Sequence, residues 1–262
     1  MNFFDNETNI ISMFQNVDCS SVYFPIQNNE VTNLFELIHD EVKWKKWINS
    51  SGKNDPPPDF FCDEFKYMMD VMRVDDHSRK NNKGKLFNPT LKNESKIIKE
   101  LELSGIYDTF PNANLIVNSN TNLPTYEDHN YKLYKKNFTR IIEKHKQSIK
   151  LYKKNHIGYK VIFFILDESS AYFQANEKCN ITEKIPNNSI ISGKPHLFFQ
   201  DKSFLKVVLN TEIDYLIWYA PFKLIRTKYK PVELPEVCIF DLSLSNTQLI
   251  EYADDFMMSA EI

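Results

Sequence analysis

The sequence predicts an α/β fold in which a mixed β-sheet is flanked by helices. Three observations predict it. Runs such as Val161–Leu166 (VIFFIL) are apolar at every position, the mark of strands buried on both faces. Tyr131, Tyr134, Phe138, Ile141, Ile142, His145, Ile149 and Tyr152 recur every three or four residues, which gives one long helix an apolar stripe. Strands and helices alternate, as a sheet covered on both faces requires. The 262 residues are 42% hydrophobic and 14% aromatic, enough for a substantial core. No internal repeat or clean linker divides them, so a single α/β domain is expected over 1–262, with a core at about 30–170 and a C-terminal extension at about 171–262.

Residues 1–28 are polar with scattered aromatics and predict no element. Val31, Leu34, Leu37, Ile38 and Val42 keep helical spacing and predict a helix over 30–48, stopped by Ser50-Ser51-Gly52. Pro56, Pro57 and Pro58 form a loop, because proline continues neither a helix nor a central strand. The stretch DFFCDEFKYMMDVMRV, Asp59 to Val74, is rich in strand-forming residues and reads as a hairpin over 58–74 with its turn near Asp63 to Lys66. Residues 75–93 are a polar loop long enough to carry function. A short helix is predicted over 93–104, with Asn93 as cap and Gly105 past its end, then a strand over 113–118. The striped helix and the strand YKVIFFILDES follow. Residues 174–194 are irregular. A helix over 201–210, strands over 214–221 and 236–243, and a terminal helix over 246–260 complete the reading.

Composition removes several classes of function. A net charge of -3 excludes a globally basic nucleic-acid coat but not local patches. No run of about 18 apolar residues occurs, so no membrane partner is expected. The start, MNFFDNETNIISMFQ, lacks the layout of a secretory signal. Cys19, Cys62, Cys179 and Cys238 are far apart and form no C-x-x-C pair, which argues for a reducing, cytoplasmic setting. Abundant Asn, Lys and Ile with 5 glycines suggests an AT-rich bacterial genome. The six histidines lack zinc-hydrolase spacing, no glycine-rich phosphate loop is present, and Ser169-Ser170 is not set in G-x-S-x-G.

The hairpin carries the sharpest chemistry. With the turn centred on Glu64 and Phe65, facing positions sum to 129, so Asp59 faces Asp70. Directly opposed residues have Cβ atoms about 4.5–5.5 Å apart. Two carboxylates that close repel unless a proton or a cation lies between them, and Mg²⁺ takes oxygen ligands of this kind.

Pro58-Asp59 followed by a strand carrying Asp70 resembles the PD-(D/E)xK nuclease superfamily, and the order helix, hairpin, helix, strand resembles its restriction-endonuclease-like core. The resemblance covers under half of the chain. It implies a Mg²⁺-dependent endonuclease, with Asp59 and Asp70 as catalytic metal ligands and Glu36 or Glu41 from the upstream helix assisting. The family's lysine would stand at position 72, where this chain has methionine; Lys66, from the turn, is the substitute the resemblance offers. Nucleic acid is the implied partner, and a duplex-cleaving enzyme is compatible with a homodimer. Arg79, Lys80, Lys83 and Lys85 form a basic segment directly after the acid pair, suited to holding phosphates. His77, between the two, is a candidate proton carrier. The eight lysines and one arginine between Lys132 and Lys154 fall mostly off the apolar stripe and form a basic face.

Two other readings stand beside this one. Met72 favours a non-catalytic binding or regulatory module of the same fold. Asp167 and Glu168, at the end of the most apolar strand, are a second candidate site, because ligands of open α/β sheets bind beyond the carboxyl ends of strands.

Overall fold

In a computed structural model, the described residues are 6–50, 58–76, 129–178, 192–209, 211–225, 232–244 and 248–260, with short pieces between 79 and 109. The strands are β1 (Val22–Tyr23), β2 (Ile48–Asn49), β3 (Phe60–Cys62), β4 (Tyr67–Val74), β5 (Arg79–Lys80), β6 (Leu86–Phe87), β7 (Lys160–Asp167), β8 (Tyr172–Ala175), β9 (Gly193–Pro195), β10 (Tyr215–Tyr219), β11 (Leu224–Ile225), β12 (Val232–Glu233), β13 (Val237–Asp241) and β14 (Met257–Ser259). The helices are α1 (Glu7–Phe14), α2 (Asn29–His39), α3 (Glu41–Trp44), α4 (Ile106–Thr109), α5 (Tyr131–Asn155) and α6 (Lys202–Val208).

The main sheet has seven strands in the order β1-β13-β10-β7-β4-β3-β2. It is mixed: β4, β7 and β10 run parallel, while β2, β3 and β4 form an antiparallel meander and β13 runs antiparallel to β10. Every side chain of β7 after Lys160 is buried, because helices cover both faces. On one face α1 and α2 pack Ile11, Phe14, Leu34 and Ile38 against Met69, Phe164 and Ile217. On the other, α5 and α6 pack Tyr134, Phe138, Ile142 and Phe204 against Met68, Phe163 and Trp218. The strands β10 and β13, from the C-terminal half, lie within this same sheet, and β1, from the unassigned first 28 residues, edges it.

Several elements depart from the sequence reading. The helix expected over 30–48 ends at His39, because the Asp40 carboxylate accepts the N–H groups of Val42 and Lys43 and starts a new short helix. The residues after it then turn into strand β2. The terminal helix is replaced by an extended segment: Ile250 bridges Asp201, a 3₁₀ turn follows at Asp254–Phe256, and β14 pairs with β8. Within 75–93, β5 and β6 pair with each other, and the ends of the 174–194 segment form strands β8 and β9. Residues 92–93, 96–97 and 99–101 are helical, whereas the strand expected over 113–118 lies outside the described residues. The helix that crosses from β4 to the next parallel strand, β7, is therefore the long α5. Among the described residues no helix is long and apolar enough to cross a membrane.

Candidate active site at the open end of a hairpin

The site begins with the register of β3 and β4. Phe60 faces Met69, Phe61 faces Met68 and Cys62 faces Tyr67, with Asp63–Lys66 as the turn. One step outward, the same register sets Asp59 opposite Asp70. Alternation along β4 puts Asp70 on the side of Met68 and Met72, facing α5. Pro58 has no N–H to give a ladder, so β3 stops there while β4 runs on to Val74. The N–H of Val71, left without a strand partner, donates to Asp59 Oδ2 at 2.8 Å. Ser50 fixes the Asp59 backbone from the β2 side, its N–H donating to the Asp59 carbonyl at 2.8 Å and its hydroxyl to the Pro58 carbonyl.

Asp70 is only 4% exposed. His145 Nδ1 lies 2.6 Å from its Oδ2, and the Tyr152 hydroxyl donates to the same oxygen at 3.3 Å. The Asp59 carboxyl is pushed up to about 8 by burial first and by the Asp70 charge second. At neutral pH Asp59 therefore keeps its proton, because burial and a neighbouring negative charge both disfavour its ionised form. Burial and the Asp70 charge also push the Tyr152 hydroxyl up, keeping it a donor. Beside the pair, where β3 no longer covers β4, a cavity of about 370 Å³ opens between α1 and α5. Its lining includes Glu7 and Ile10 on one wall, Val71 and Met72 on the floor, and Arg140 and Lys144 on the other wall, with His145 among them.

Other residues expected at the site lie elsewhere. Glu36 is exposed on α2, the helix of the opposite sheet face, and bonds Lys43 at 2.7 Å; Glu41 is exposed at the start of α3. A helix that buries Leu34 and Ile38 on its sheet side turns Glu36 outward. Lys66 occupies the hairpin turn at φ 56°, four residues or about 13 Å along the strand from Asp70, and its ammonium donates to the Tyr159 hydroxyl at 3.4 Å. Met72 is packed in the core. The side chains of Arg79 and Lys80 and all of His77, Lys83 and Lys85 lie outside the described residues.

Asp167 and Glu168 do not form an open pair. Glu168 takes a two-pronged bond from Arg73, at 2.8 and 2.9 Å. Asp167 is fully buried and saturated: Tyr134, Trp218 Nε1 (2.8 Å), the Ser169 N–H (3.0 Å) and the Ser169 hydroxyl (2.6 Å) all donate to it, and the Lys223 ammonium stands 3.2 Å away. Lys223 also donates to Ser169 Oγ at 2.7 Å and the Ser170 carbonyl at 3.2 Å. A neighbouring buried carboxylate, Asp76, accepts from Ser170 and Tyr172. This network clamps the ends of β4 and β7 to α5 and to the segment after β10.

His145 and Tyr152 are the site residues that sequence reading missed. Both sit on the α5 stripe, where they read as core; the signal was two polar-tipped residues, seven apart, on a face that meets a buried carboxylate. Among the described residues no group of three or more His, Cys, Asp or Glu side chains is arranged to hold a metal ion. What is present is the Asp59 carboxyl beside the buried Asp70, two oxygen-bearing groups. That suits Mg²⁺, which binds through one or two carboxylates and keeps several waters. Compared with protein-family models, with curated proteins and with solved structures, the chain has no significant match in any of the three.

Proposed function

We propose that the chain is a metal-dependent phosphodiester hydrolase acting on nucleic acid, working at the Asp59–Asp70 pair. The observation that carries the reading is the meeting of these two carboxyls at the open end of β3 and β4, beside a cavity with Arg140 and Lys144 in its wall. The element order lends support: α2, the meander β2-β3-β4, α5 and the parallel strand β7 resemble a helix, hairpin, helix, strand series, with α5 and β7 standing in for the helix expected over 93–104 and the strand expected over 113–118. Asp59 and Asp70 would hold the cation. A bound divalent cation lowers the pKa of a water and offsets charge on phosphate oxygens. Asp59 would serve as a ligand in its ionised form, and His145 and Tyr152 hold the Asp70 carboxylate in place. Arg140 and Lys144 neutralise a phosphate in the cavity.

Met72 supports a second reading. With an apolar, buried residue where the family has its lysine, the same fold would serve as a binding module without cleavage. The two are separated by incubating labelled DNA and RNA with wild type, Asp59→Asn and Asp70→Asn in Mg²⁺ or Mn²⁺. The hydrolase reading expects cleavage by wild type and loss of at least two orders of magnitude in each variant. Binding without cleavage selects the module; cleavage that survives Asp70→Asn removes the pair from the mechanism.

A further inference from the structure

We infer that the outer face of α5 is a track for the phosphodiester backbone of a nucleic-acid strand, leading to the cavity beside Asp59 and Asp70. The inference rests on the functional reading above and adds a binding surface to it. The cations of α5 divide into two sets. Four are matched by acids: Lys132 with Asp255 at 2.6 Å and, along one flank, Lys135 with Asp254 at 2.5 Å, Lys146 with Glu143 at 2.7 Å and Lys153 with Glu212 at 3.3 Å. Lys136, Arg140, Lys144, Lys150 and Lys154 are exposed and make no ion pair among the described residues.

At 3.6 residues per turn these five share one side of the helix, opposite Tyr134, Phe138, Ile142 and Ile149. They form a crest about 27 Å long, in steps of about 6 Å from Lys136 to Arg140 to Lys144. Glu143, the one acid of α5, lies on the same side and is taken up by Lys146. On a chain of net charge -3, these five cations on one side of one helix form a local basic line.

The line also has a destination, because Arg140 and Lys144 both line the cavity beside the acid pair. A polymer with regularly spaced monoanions is the ligand such a line complements. An anionic bilayer fits less well: none of the large exposed hydrophobic residues lies between Lys136 and Lys154 to enter it.

The test is fluorescence anisotropy of a labelled oligonucleotide, single-stranded DNA, duplex and RNA in turn, in EDTA so that nothing is cleaved. The variants are the triple Lys136→Gln/Lys150→Gln/Lys154→Gln, away from the cavity, and the flank double Lys146→Gln/Lys153→Gln. The track expects the triple variant to bind about tenfold or more weakly and its log–log salt slope to fall by about 2–3, with the flank variant close to wild type. Failure of wild type to bind any of the three, an unchanged slope in the triple variant, or tighter binding to phosphatidylserine vesicles than to nucleic acid would overturn it. Asp70→Asn, measured alongside, keeps the two readings apart: binding lost on the crest with no cleavage by wild type sinks the hydrolase and leaves the track standing.

Discussion

Asp59 stands opposite Asp70 at the open end of the β3–β4 hairpin, where its Oδ2 receives the N–H of Val71 at 2.8 Å. Burial first and the Asp70 charge second push the Asp59 carboxyl up to about 8, and one backbone amide ties it to the strand that Pro58 leaves uncovered. Burial of two like charges is unfavourable without a bridging positive group, so the arrangement has consequences that can be measured.

The first is a pH dependence of stability in metal-free buffer. Asp59 titrates near its ordinary carboxylate value in the unfolded chain and at about 8 in the folded one. Between about pH 4 and 8 the folded state therefore binds more protons, and the contribution of Asp59 to stability falls as pH rises. Asp59→Asn cannot ionise and escapes this loss. Urea denaturation at pH 5 and pH 8 is expected to show the variant gaining on wild type by on the order of 1–2 kcal/mol at the higher pH, less than the whole shift because the pair relaxes and admits water. A difference independent of pH would mean that the two carboxyls are not coupled.

A second expectation concerns the partners of Asp70. Groups that orient a metal-binding carboxylate typically change metal affinity or activity by about 10–100-fold when removed. Tyr152→Phe and His145→Gln should raise the Mg²⁺ concentration needed for half-maximal cleavage, while Tyr152→Phe lowers stability by only about 1 kcal/mol. An unchanged Mg²⁺ dependence in both would show that they merely fill space beside Asp70.

The Asp167–Lys223 pair separates structure from chemistry. Removing one member of a buried, bonded pair leaves the other charge uncompensated, at about 3–5 kcal/mol. Asp167→Asn and Lys223→Met are each expected to be destabilised by that order in denaturant titrations. A variant with wild-type stability and no activity would instead place the chemistry at Asp167.

Much of this site was legible because its causes are local. Three prolines mark where β3 must begin, the turn residues Asp63–Lys66 fix the register, and period-two alternation then places Asp59 and Asp70 together. The apolar run of β7 and the stripe of α5 were legible for the same reason. The rest depended on partners distant in sequence. The last segment has helical spacing, yet Met257 and Ser259 are buried by pairing with β8, some 85 residues earlier, and tertiary pairing overrode propensity. Glu36 was the right residue type on a suitable helix, but the face of α2 that meets the sheet was set by Leu34 and Ile38, not by the carboxylate. Nothing near Asp167 in sequence announces Lys223 or Trp218, which reach it only once β10 lies beside β7.

The most direct test is calorimetric titration of Mg²⁺, and of Mn²⁺ in parallel, at pH 7 in two buffers of different ionisation enthalpy. The account predicts one site per chain that releases a proton on binding, tightens as pH rises toward 8, and disappears in Asp70→Asn. Absence of binding to wild type, binding without proton release, or undiminished binding to Asp70→Asn would contradict it.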